Sequence, residues 1–369
     1  MGLLAGNAVI LKTATETQLA GRTIEGLILD AGLPKDVFTF INLPGRIAGD
    51  LFLESGIDKL FFTGSVPIGK KLMAKAAETL TPVSLELGGN DAMLVCPDAD
   101  LDRAATGAVW AGMQNAGQSC GGAERVYVHK DAYNDFMELL GNKVHALRVG
   151  VETEHEVDMG AITTKRQLET VKRHVEEALS KGAVIHAESN CPTDTAGLFH
   201  PAVVLANCDH TMTVMREETF GPVLGVMKVE SMDEAVELAN DSNLGLTGSV
   251  WSRDSRRAEA IARRIHAGAI TINDHLMSHG AAETPWGGFK ESGIGRTHGD
   301  IGFAEMTEPQ VIVHDWLPGV KKNFWWHPHG PEIYGGLLGA LDLLYGKGVG
   351  RRLSGMTKLL KVFPRTFQR

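Results

Sequence analysis

The chain has 369 residues, of which 43% are hydrophobic and 22% charged, and its formal net charge is −9. This length exceeds what one hydrophobic core usually covers and predicts more than one domain. The acidic balance argues against a nucleic-acid-binding protein. Four cysteines without a CxxC pair predict neither a disulfide framework nor a metal site, so we expect a reducing, cytoplasmic compartment.

The first part of the chain alternates predicted strands with predicted helices. The strands cover 8–12, 37–43, 59–64, 83–87 and 92–96. The helices cover 15–31, 46–55 and 68–80. Strands and helices that alternate at this spacing are typical of a parallel sheet with helices on its faces.

A predicted helix from residue 100 to residue 115 leads to Cys120, and a second α/β unit follows it. Its strands are expected at 124–128, 183–187, 223–229, 249–252 and 269–274. Its helices are expected at 133–147, 164–181, 232–240 and 255–266. The pattern therefore predicts an α/β protein with two sheet-containing units.

Two residues have a sequence context that suits covalent catalysis. Cys120 lies in a glycine-rich turn, GQSCGG, whose backbone N–H groups can stabilise a thiolate or an oxyanion. Glu86, in SLELGGN, ends an apolar strand, where partial desolvation raises a carboxyl pKa towards general-base use. A cysteine nucleophile with a glutamate base suggests an acyl-enzyme that forms and is then hydrolysed. A buried cysteine and a strand-end glutamate with structural roles remain the alternative.

Five motifs occur in the order FTGSVPIGK, SLELGGN, GQSC, EETFGPV and PWGGFKESG. With these motifs in register, the sequence from residue 5 to about residue 313 resembles the NAD(P)-dependent aldehyde dehydrogenase superfamily. The resemblance implies a Rossmann-type parallel cofactor sheet, incomplete here, and a second α/β catalytic domain. It also implies that Cys120 forms a thiohemiacetal and then a thioester with an aldehyde, and that Glu86 activates the deacylating water.

The resemblance assigns a set of residues to binding of NAD or NADP. They are Lys12, Thr15, Gly45, Gly49, Gly64, Ser65, Leu87, Glu218 and Phe220. Lys12 would reach the adenosine ribose, and Gly45 with Gly49 would form the turn at which the pyrophosphate meets a helix. Glu218 and Phe220 would hold the nicotinamide ribose and ring.

Cofactor preference depends on Thr15. Members of the superfamily that favour NAD commonly carry a glutamate at this position, which binds the 2′-hydroxyl group and repels a 2′-phosphate. Because Thr15 has no charge, the sequence is compatible with NADP as well as NAD.

The resemblance places an aldehyde pocket beside Cys120. Trp110, Ser119, Asn273 and Trp286 are expected to line it, and the loop 274–288 would form its entrance. The loop has no lysine or arginine to bind an anionic substrate, which favours a neutral aldehyde. Core packing is the alternative for both tryptophans.

Together these observations predict four regions. They are a partial dinucleotide-binding domain (1–98), a catalytic domain (99–290), a return to the cofactor and oligomerisation region (291–315) and a basic amphipathic C-terminal extension (316–369). The extension has nine Lys or Arg residues and two acidic ones, with Leu and Met at helical spacing, which is typical of a membrane-surface helix. A helix pair packed on the body or on a partner subunit is the alternative. We expect a small-molecule aldehyde substrate and, for a full-length chain, a homo-oligomer. For 316–369 the packed helix pair is slightly favoured over peripheral membrane contact.

The superfamily pattern normally begins upstream of this sequence, with a PWN segment whose asparagine is one of two oxyanion donors. The chain therefore resembles an N-terminally truncated member, and loss of one such donor typically costs about 10²–10³ in rate. Two alternatives to oxidation of an aldehyde to an acid remain open. One is a CoA-acylating aldehyde dehydrogenase, and the other is a catalytically impaired fragment that acts as a membrane or protein-interaction module.

Overall fold

The structure is a computed structural model that describes residues 1–151, 154–193, 196–315 and 319–367. It divides the chain into two units, Met1–Glu308 and Pro309–Arg369. The predicted start of the basic extension at Trp316 falls in 316–318, outside the described residues.

The N-terminal part of the first unit alternates strands with helices, as predicted. Its strands are β1 (Val9–Leu11), β2 (Phe38–Phe40), β3 (Leu60–Thr63) and β4 (Val83–Glu86). Its helices are α1 (Gln18–Asp30), α2 (Gly45–Glu54) and α3 (Val66–Ala76). Strand β1 pairs in parallel with β2, and β3 pairs in parallel with β4, in separate small sheets. Helix α3 has Pro67 in its first turn, where a missing backbone N–H leaves no intrahelical bond unmade.

The rest of the first unit is built on a larger sheet. Its strands are β5 (Asp91–Val95), β6 (Ala123–His129), β7 (Val184–Glu188), β8 (Val203–Ala206), β9 (Val223–Val229), β11 (Thr247–Trp251) and β12 (Ala269–Ile272). The helices are α4 (Leu101–Met113), α5 (Lys130–His145), α6 (Lys165–Ser180), α7 (Met232–Asn240), α8 (Ser255–Ala262), α9 (Met277–Gly280) and α10 (Gly299–Ala304). Within the described residues this sheet has seven strands in the order β12-β11-β5-β6-β9-β8-β7. Neighbours are parallel except for the antiparallel pair β7 and β8.

Two short strand pairings join distant parts of the first unit. Strand β10 (Leu244–Gly245) pairs with β13 (Phe289–Lys290), and β14 (Gly293–Ile294) pairs with β4. In the second pairing Gly293 lies opposite Glu86, so the chain returns to the strand that carries the candidate base.

Three details differ from the sequence expectations. Strand β5 pairs with β6 and β11, so it belongs to the large sheet although the predicted boundary at residue 98 assigns it to the cofactor-binding part. Strand β8 was not predicted, because a four-residue apolar run gives no clear periodicity. Helix α4 ends at Met113 instead of residue 115, because Asn115 and Ala116 have positive φ angles. The region boundaries themselves remain a prediction.

The second unit contains an antiparallel helical hairpin, α11 (Pro331–Tyr345) and α12 (Val349–Val362). Glycines allow the two helices to approach closely: a Cβ atom on Gly339 would lie 2.7 Å from the carbonyl oxygen of Gly355. No helix among the described residues is long and apolar enough to cross a membrane.

Candidate active site

Cys120 follows a strained left-handed segment. Asn115 and Ala116 have φ angles of 53° and 55°, and Gly117 follows with 69°. Non-glycine residues in this region cost about 1–3 kcal/mol each and cluster at active sites. A Cβ atom on Gly117 would lie 2.1 Å from the carbonyl carbon of Gly221, so the segment is held against a neighbouring loop. The strain is therefore located directly before Cys120.

The loop after the candidate base lies against the candidate nucleophile. Glu86 ends β4, and the glycines of SLELGGN connect it to β5. A Cβ atom on Gly89 would lie 2.1 Å from the carbonyl oxygen of Cys120. This contact requires glycine, and it brings the SLELGGN and GQSC motifs together in the fold.

Glu86 has the properties of a general base near neutral pH. Burial raises the pKa of Glu86 to about 7, against the opposing effects of the Arg296 charge and the Trp286 indole. Its Oε2 atom is buried and has no hydrogen-bond partner among the described residues. A carboxylate oxygen with an unused lone pair and a pKa near 7 can take a proton from water.

Cys120 is protonated at neutral pH in this environment. Burial raises the pKa of its thiol to about 11, and the charges of Asp91, Glu218 and Glu86 raise it further. The turn was expected to stabilise a thiolate or an oxyanion through its N–H groups. A backbone hydrogen bond does lower the pKa of this thiol, but burial and the nearby carboxylates outweigh it. The thiol therefore needs a proton acceptor before it can attack.

Glu218 lies next to the same loop. Its Oε1 atom accepts a hydrogen bond of 3.0 Å from the backbone N–H of Gly89. A Cβ atom on Gly88 would lie 2.5 Å from Glu218 Oε2, so Gly88 makes room for the carboxylate. Burial raises the pKa of Glu218 to about 7. Glu218 and Cys120 thus both contact the glycine loop that follows Glu86.

Glu124, which the sequence reasoning missed, holds the loop that carries Glu218 and Phe220. Its carboxylate accepts the N–H of Thr219 at 3.0 and 2.9 Å, the N–H of Phe220 at 2.8 Å and the amide of Asn90 at 2.8 Å. These bonds support the positive φ angle of 49° at Phe220. Burial raises the pKa of Glu124 to about 8. The two glycines shortly before Glu124, in GGAER, were the only local sign that this residue has a special role. Its main partners, Thr219 and Phe220, are far away in the sequence.

The predicted entrance loop does lie over the turn after Cys120. A Cβ atom on Gly121 would lie 3.0 Å from both Leu276 and the ring of Trp286, and Trp286 is buried. Buried His275 anchors the loop: one ring nitrogen lies 2.7 Å from Ser249 Oγ and the other 3.1 Å from the carbonyl oxygen of Gly121. Burial lowers the pKa of His275 to about 4, so this histidine is neutral.

The other predicted pocket residues are placed differently. Trp110 is 58% exposed and lines a depression of about 430 Å³ with Trp251 and Asn273. The amide of Asn273 is engaged by the backbone of Ser252, accepting its N–H at 3.0 Å and donating to its carbonyl at 2.8 Å. Ser119 accepts the N–H of the residue three positions later through its carbonyl group. Asn273 therefore joins two strand ends, and its assignment as a pocket residue remains a prediction.

Lys12 and Gly45, both predicted at the cofactor, come together at the start of α2. The ammonium nitrogen of Lys12 lies 3.4 Å from the position of a Cβ atom on Gly45. Beside Lys12, the hydroxyl of Thr13 is buried and has no hydrogen-bond partner among the described residues. A cation, an unbonded hydroxyl and the free N–H groups of a helix start suit a polar, anionic group. Thr15 is exposed in the turn before α1.

The remaining cofactor candidates lie around β4, α2 and α3. Gly64 donates its N–H to the carbonyl of Glu86 at 3.0 Å, and Ser65 is exposed at the start of α3. Leu87 is buried against Gly69, where a Cβ atom would lie 2.6 Å from its side chain. Gly49 has a packing role, because a Cβ atom there would lie 2.2 Å from Leu72 of α3.

The sequence is similar to those of known proteins. A family model described as aldehyde dehydrogenase family matches residues 1–312. A protein from Mycobacterium ulcerans named "Putative succinate-semialdehyde dehydrogenase [NADP(+)] 2" is 37% identical over 312 residues, 84% of this chain and 60% of that protein. The 4,4′-diapolycopene aldehyde oxidase of a Methylomonas species is 38% identical over 347 residues, 94% of this chain and 64% of that protein.

The fold is also similar to that of solved structures. The crystal structure of a Mycobacterium tuberculosis aldehyde dehydrogenase complexed with NAD⁺ superposes with a TM-score of 0.79 and 33% identity, over 83% of this chain and 63% of that one. The chain thus spans about 60% of the length of the relatives that it matches.

Proposed function

The chain belongs to the aldehyde dehydrogenase family, and from this we propose that it oxidises an aldehyde to a carboxylic acid with NAD or NADP. One observation carries the proposal: the loop after Glu86 packs onto the backbone of Cys120, and Glu86 combines an unbonded oxygen with a pKa of about 7. A nucleophile and a tuned base in this relation suit formation and hydrolysis of a thioester.

The chemistry that this chain supplies follows from those two residues. The sulfur of Cys120 bonds to the aldehyde carbon once its proton has passed to a base, and the product is a thiohemiacetal. When bound, NAD(P)⁺ would supply the acceptor for the hydride that leaves that carbon. Glu86 then takes a proton from water as the water oxygen attacks the thioester carbon. The carbon–sulfur bond breaks, the acid leaves, and the Cys120 sulfur regains a proton.

We assign the cofactor to the polar sites at α2 and beside Cys120. Lys12 and the N–H groups at Gly45 would bind anionic and hydroxyl groups, and Glu218 would accept hydrogen bonds from a ribose. The uncharged, exposed Thr15 supports use of either NAD or NADP. Among the relatives, one is named for NADP(+) and one was crystallised with NAD⁺.

For the substrate we propose a neutral, apolar aldehyde. The groups around Cys120 include the carboxylates of Glu86 and Glu218, and the entrance loop 274–288 has no lysine or arginine. The nearby Arg296 donates to the carbonyl groups of Gly288 and Gly295. The Methylomonas relative is named for 4,4′-diapolycopene aldehyde, and its 347 matched residues extend beyond residue 312. A substrate with its own carboxylate, such as succinate semialdehyde, fits these charges less well.

Homo-oligomerisation, a cytoplasmic location and membrane contact through 316–369 are further proposals. The apolar residues 311–313 are all more than 70% exposed, which supports burial against another chain. All four cysteines are free, which is consistent with a reducing compartment.

Turnover of the chain tests the central proposal. Short and long aliphatic aldehydes are supplied with NAD⁺ or NADP⁺, and NAD(P)H absorbance is followed. Cys120→Ser should abolish NAD(P)H formation, whereas Cys191→Ser, at another half-buried cysteine, should not. Glu86→Gln should leave a burst of one equivalent with slow steady turnover, because only deacylation loses its base.

The products decide between the alternatives. A free acid as product supports hydrolysis, and an acyl-CoA formed only with added CoA would identify the acylating reaction instead. If folded wild-type chain binds neither NAD⁺ nor NADP⁺ and gives no burst, the proposed activity is wrong for this chain. The interaction-module alternative would then be favoured.

A further inference from the structure

The hairpin of α11 and α12 has the reverse of the usual arrangement of polar and apolar residues. Its inner faces carry glycines, the buried Ile333 and Val362, and Asp342: Gly339 packs on Gly355, and Gly336 packs on Val362. Asp342 pairs with Arg351 at 2.7 Å and Lys358 at 3.3 Å, and the side chains of these two cations are 65% and 46% exposed. A hairpin in water normally places leucines between its helices and charges outside. Here the close contact depends on small residues, which is typical of helices packed in an apolar medium.

The outward faces of both helices are apolar. On α11 the exposed apolar side chains are Tyr334, Leu337, Leu338, Leu341, Leu344 and Tyr345. On α12 they are Val349, Leu353, Met356 and Leu360, and exposed Phe363 follows directly after the helix. At 100° per residue both sets centre opposite the face that meets the partner helix. Leu341 and Leu353, near the middle of each set, are 56% and 53% exposed.

Cations flank this apolar surface at both ends of the hairpin. Lys347 and Arg352 lie at the turn between the helices, and Lys361 lies near the end of α12; all three are exposed. Arg365 donates to the carbonyl oxygens of Phe324, Trp326 and Pro328, which holds two half-exposed tryptophans, Trp325 and Trp326, on the same unit. Tryptophan and basic side chains together favour the headgroup region of a bilayer.

We propose that the segment 320–367 binds the surface of an anionic bilayer, with the hairpin lying flat in the interface and its outer faces in contact with acyl chains. Helix α11 is about 22 Å long, short of the roughly 30 Å hydrocarbon core, so the hairpin does not span. Cations at both ends favour a flat orientation over tip-first insertion.

Charge and geometry favour a bilayer as the binding partner of the hairpin. The segment from residue 316 onwards has a net charge of +7, which complements phosphatidylserine-type headgroups and opposes pairing with a second copy of itself. The outer faces of an antiparallel pair point in opposite directions, so a protein surface can cover one of them, whereas acyl chains can surround both.

Vesicle binding by the full chain tests the proposal and needs no turnover. Sucrose-loaded vesicles of phosphatidylcholine alone are compared with vesicles that contain about 30% phosphatidylserine. Wild-type chain should bind the anionic vesicles about 100-fold more tightly, and high salt should remove most of this difference because it screens the charges. Lys347→Ser/Arg352→Ser/Lys361→Ser should weaken binding by about 100-fold, about fivefold per cation.

The apolar contribution needs its own variants. Leu341→Glu/Leu353→Glu should weaken binding at least about tenfold, because two leucines no longer enter the acyl region. The matched control is Leu19→Glu in α1, where the leucine is 79% exposed and the binding should be unchanged. Circular dichroism checks that each variant keeps the helix content of the wild-type chain.

Three outcomes would overturn the proposal. One is equal binding of wild-type chain to neutral and anionic vesicles, or none to either. Another is Leu341→Glu/Leu353→Glu binding as tightly as the Leu19→Glu control. The third concerns molar mass, measured by light scattering without vesicles. If Leu341→Glu/Leu353→Glu has a lower molar mass than wild-type chain but binds vesicles equally well, a second copy of the chain is the partner.

Discussion

Alkylation of Cys120 by iodoacetamide, in the absence of cofactor, should be slow at neutral pH and should rise steeply as the pH increases. The thiolate is the reacting form. Burial and three carboxylates raise the pKa of Cys120 from its ordinary 9.0 to about 11. A raised thiol pKa moves thiolate formation to higher pH, so the rate should increase about tenfold per pH unit until it levels off near that value.

The expected magnitude follows from the same pKa. At neutral pH the thiolate fraction of Cys120 is about 100-fold below that of an unperturbed thiol. A more basic thiolate is intrinsically more nucleophilic by roughly eightfold, from a Brønsted coefficient of 0.4–0.5. The net rate should therefore be about tenfold below that of a small-molecule thiol.

Mass spectrometry of peptides from quenched samples measures each cysteine in one experiment. Glu86→Gln and Glu218→Gln should each shift the Cys120 profile to lower pH, because each removes a negative charge that opposes the thiolate. Cys191, which is half-buried and whose pKa is raised by burial but not by these carboxylates, is the internal control. A Cys120 rate that levels off below about pH 8.5 would refute the assignment of the thiol as protonated.

Three more outcomes are expected. Because the pKa of Glu86 is about 7 and a base acts when deprotonated, steady-state turnover should rise as pH increases through 7, and Glu86→Gln should remove this rise. Gly89→Ala should lower stability by about 1–3 kcal/mol or more, because its Cβ atom would lie 2.1 Å from the carbonyl oxygen of Cys120. Gly26→Ala, where no atom lies within 4 Å of the added carbon, should stabilise α1, and thermal unfolding compares the two. Above the Glu124 pKa of about 8, Glu124→Gln should cost about 1–3 kcal/mol in urea unfolding, because an amide cannot accept all the N–H groups that the carboxylate accepts. Unchanged stability at pH 9 would contradict its role in holding the loop with Thr219 and Phe220.

The ordered motifs predicted the family, and they made Cys120 and Glu86 the candidate nucleophile and base. These candidates could be named because their neighbours in the chain are glycines and small residues in a recognisable order. The alternation of strands and helices was also readable, because apolar periodicity is a local property. Strand β8 and the end of α4 were missed, since a short apolar run and a left-handed turn leave little local signal.

Interactions between residues far apart in the sequence could not be predicted from local patterns. The protonated state of Cys120 depends on its burial and on the charges of Asp91, Glu218 and Glu86. Asp91 and Glu86 flank one loop, and Glu218 reaches the thiol from a distant segment of the chain. Glu124 acts on backbone N–H groups 95 and 96 positions away, so its role has no sequence period. The basic, leucine-rich composition of 316–369 was evident from the sequence, but which side chains face inward was not. That depends on the contact between Gly339 and Gly355, because close approach of the two backbones turns the leucines outward.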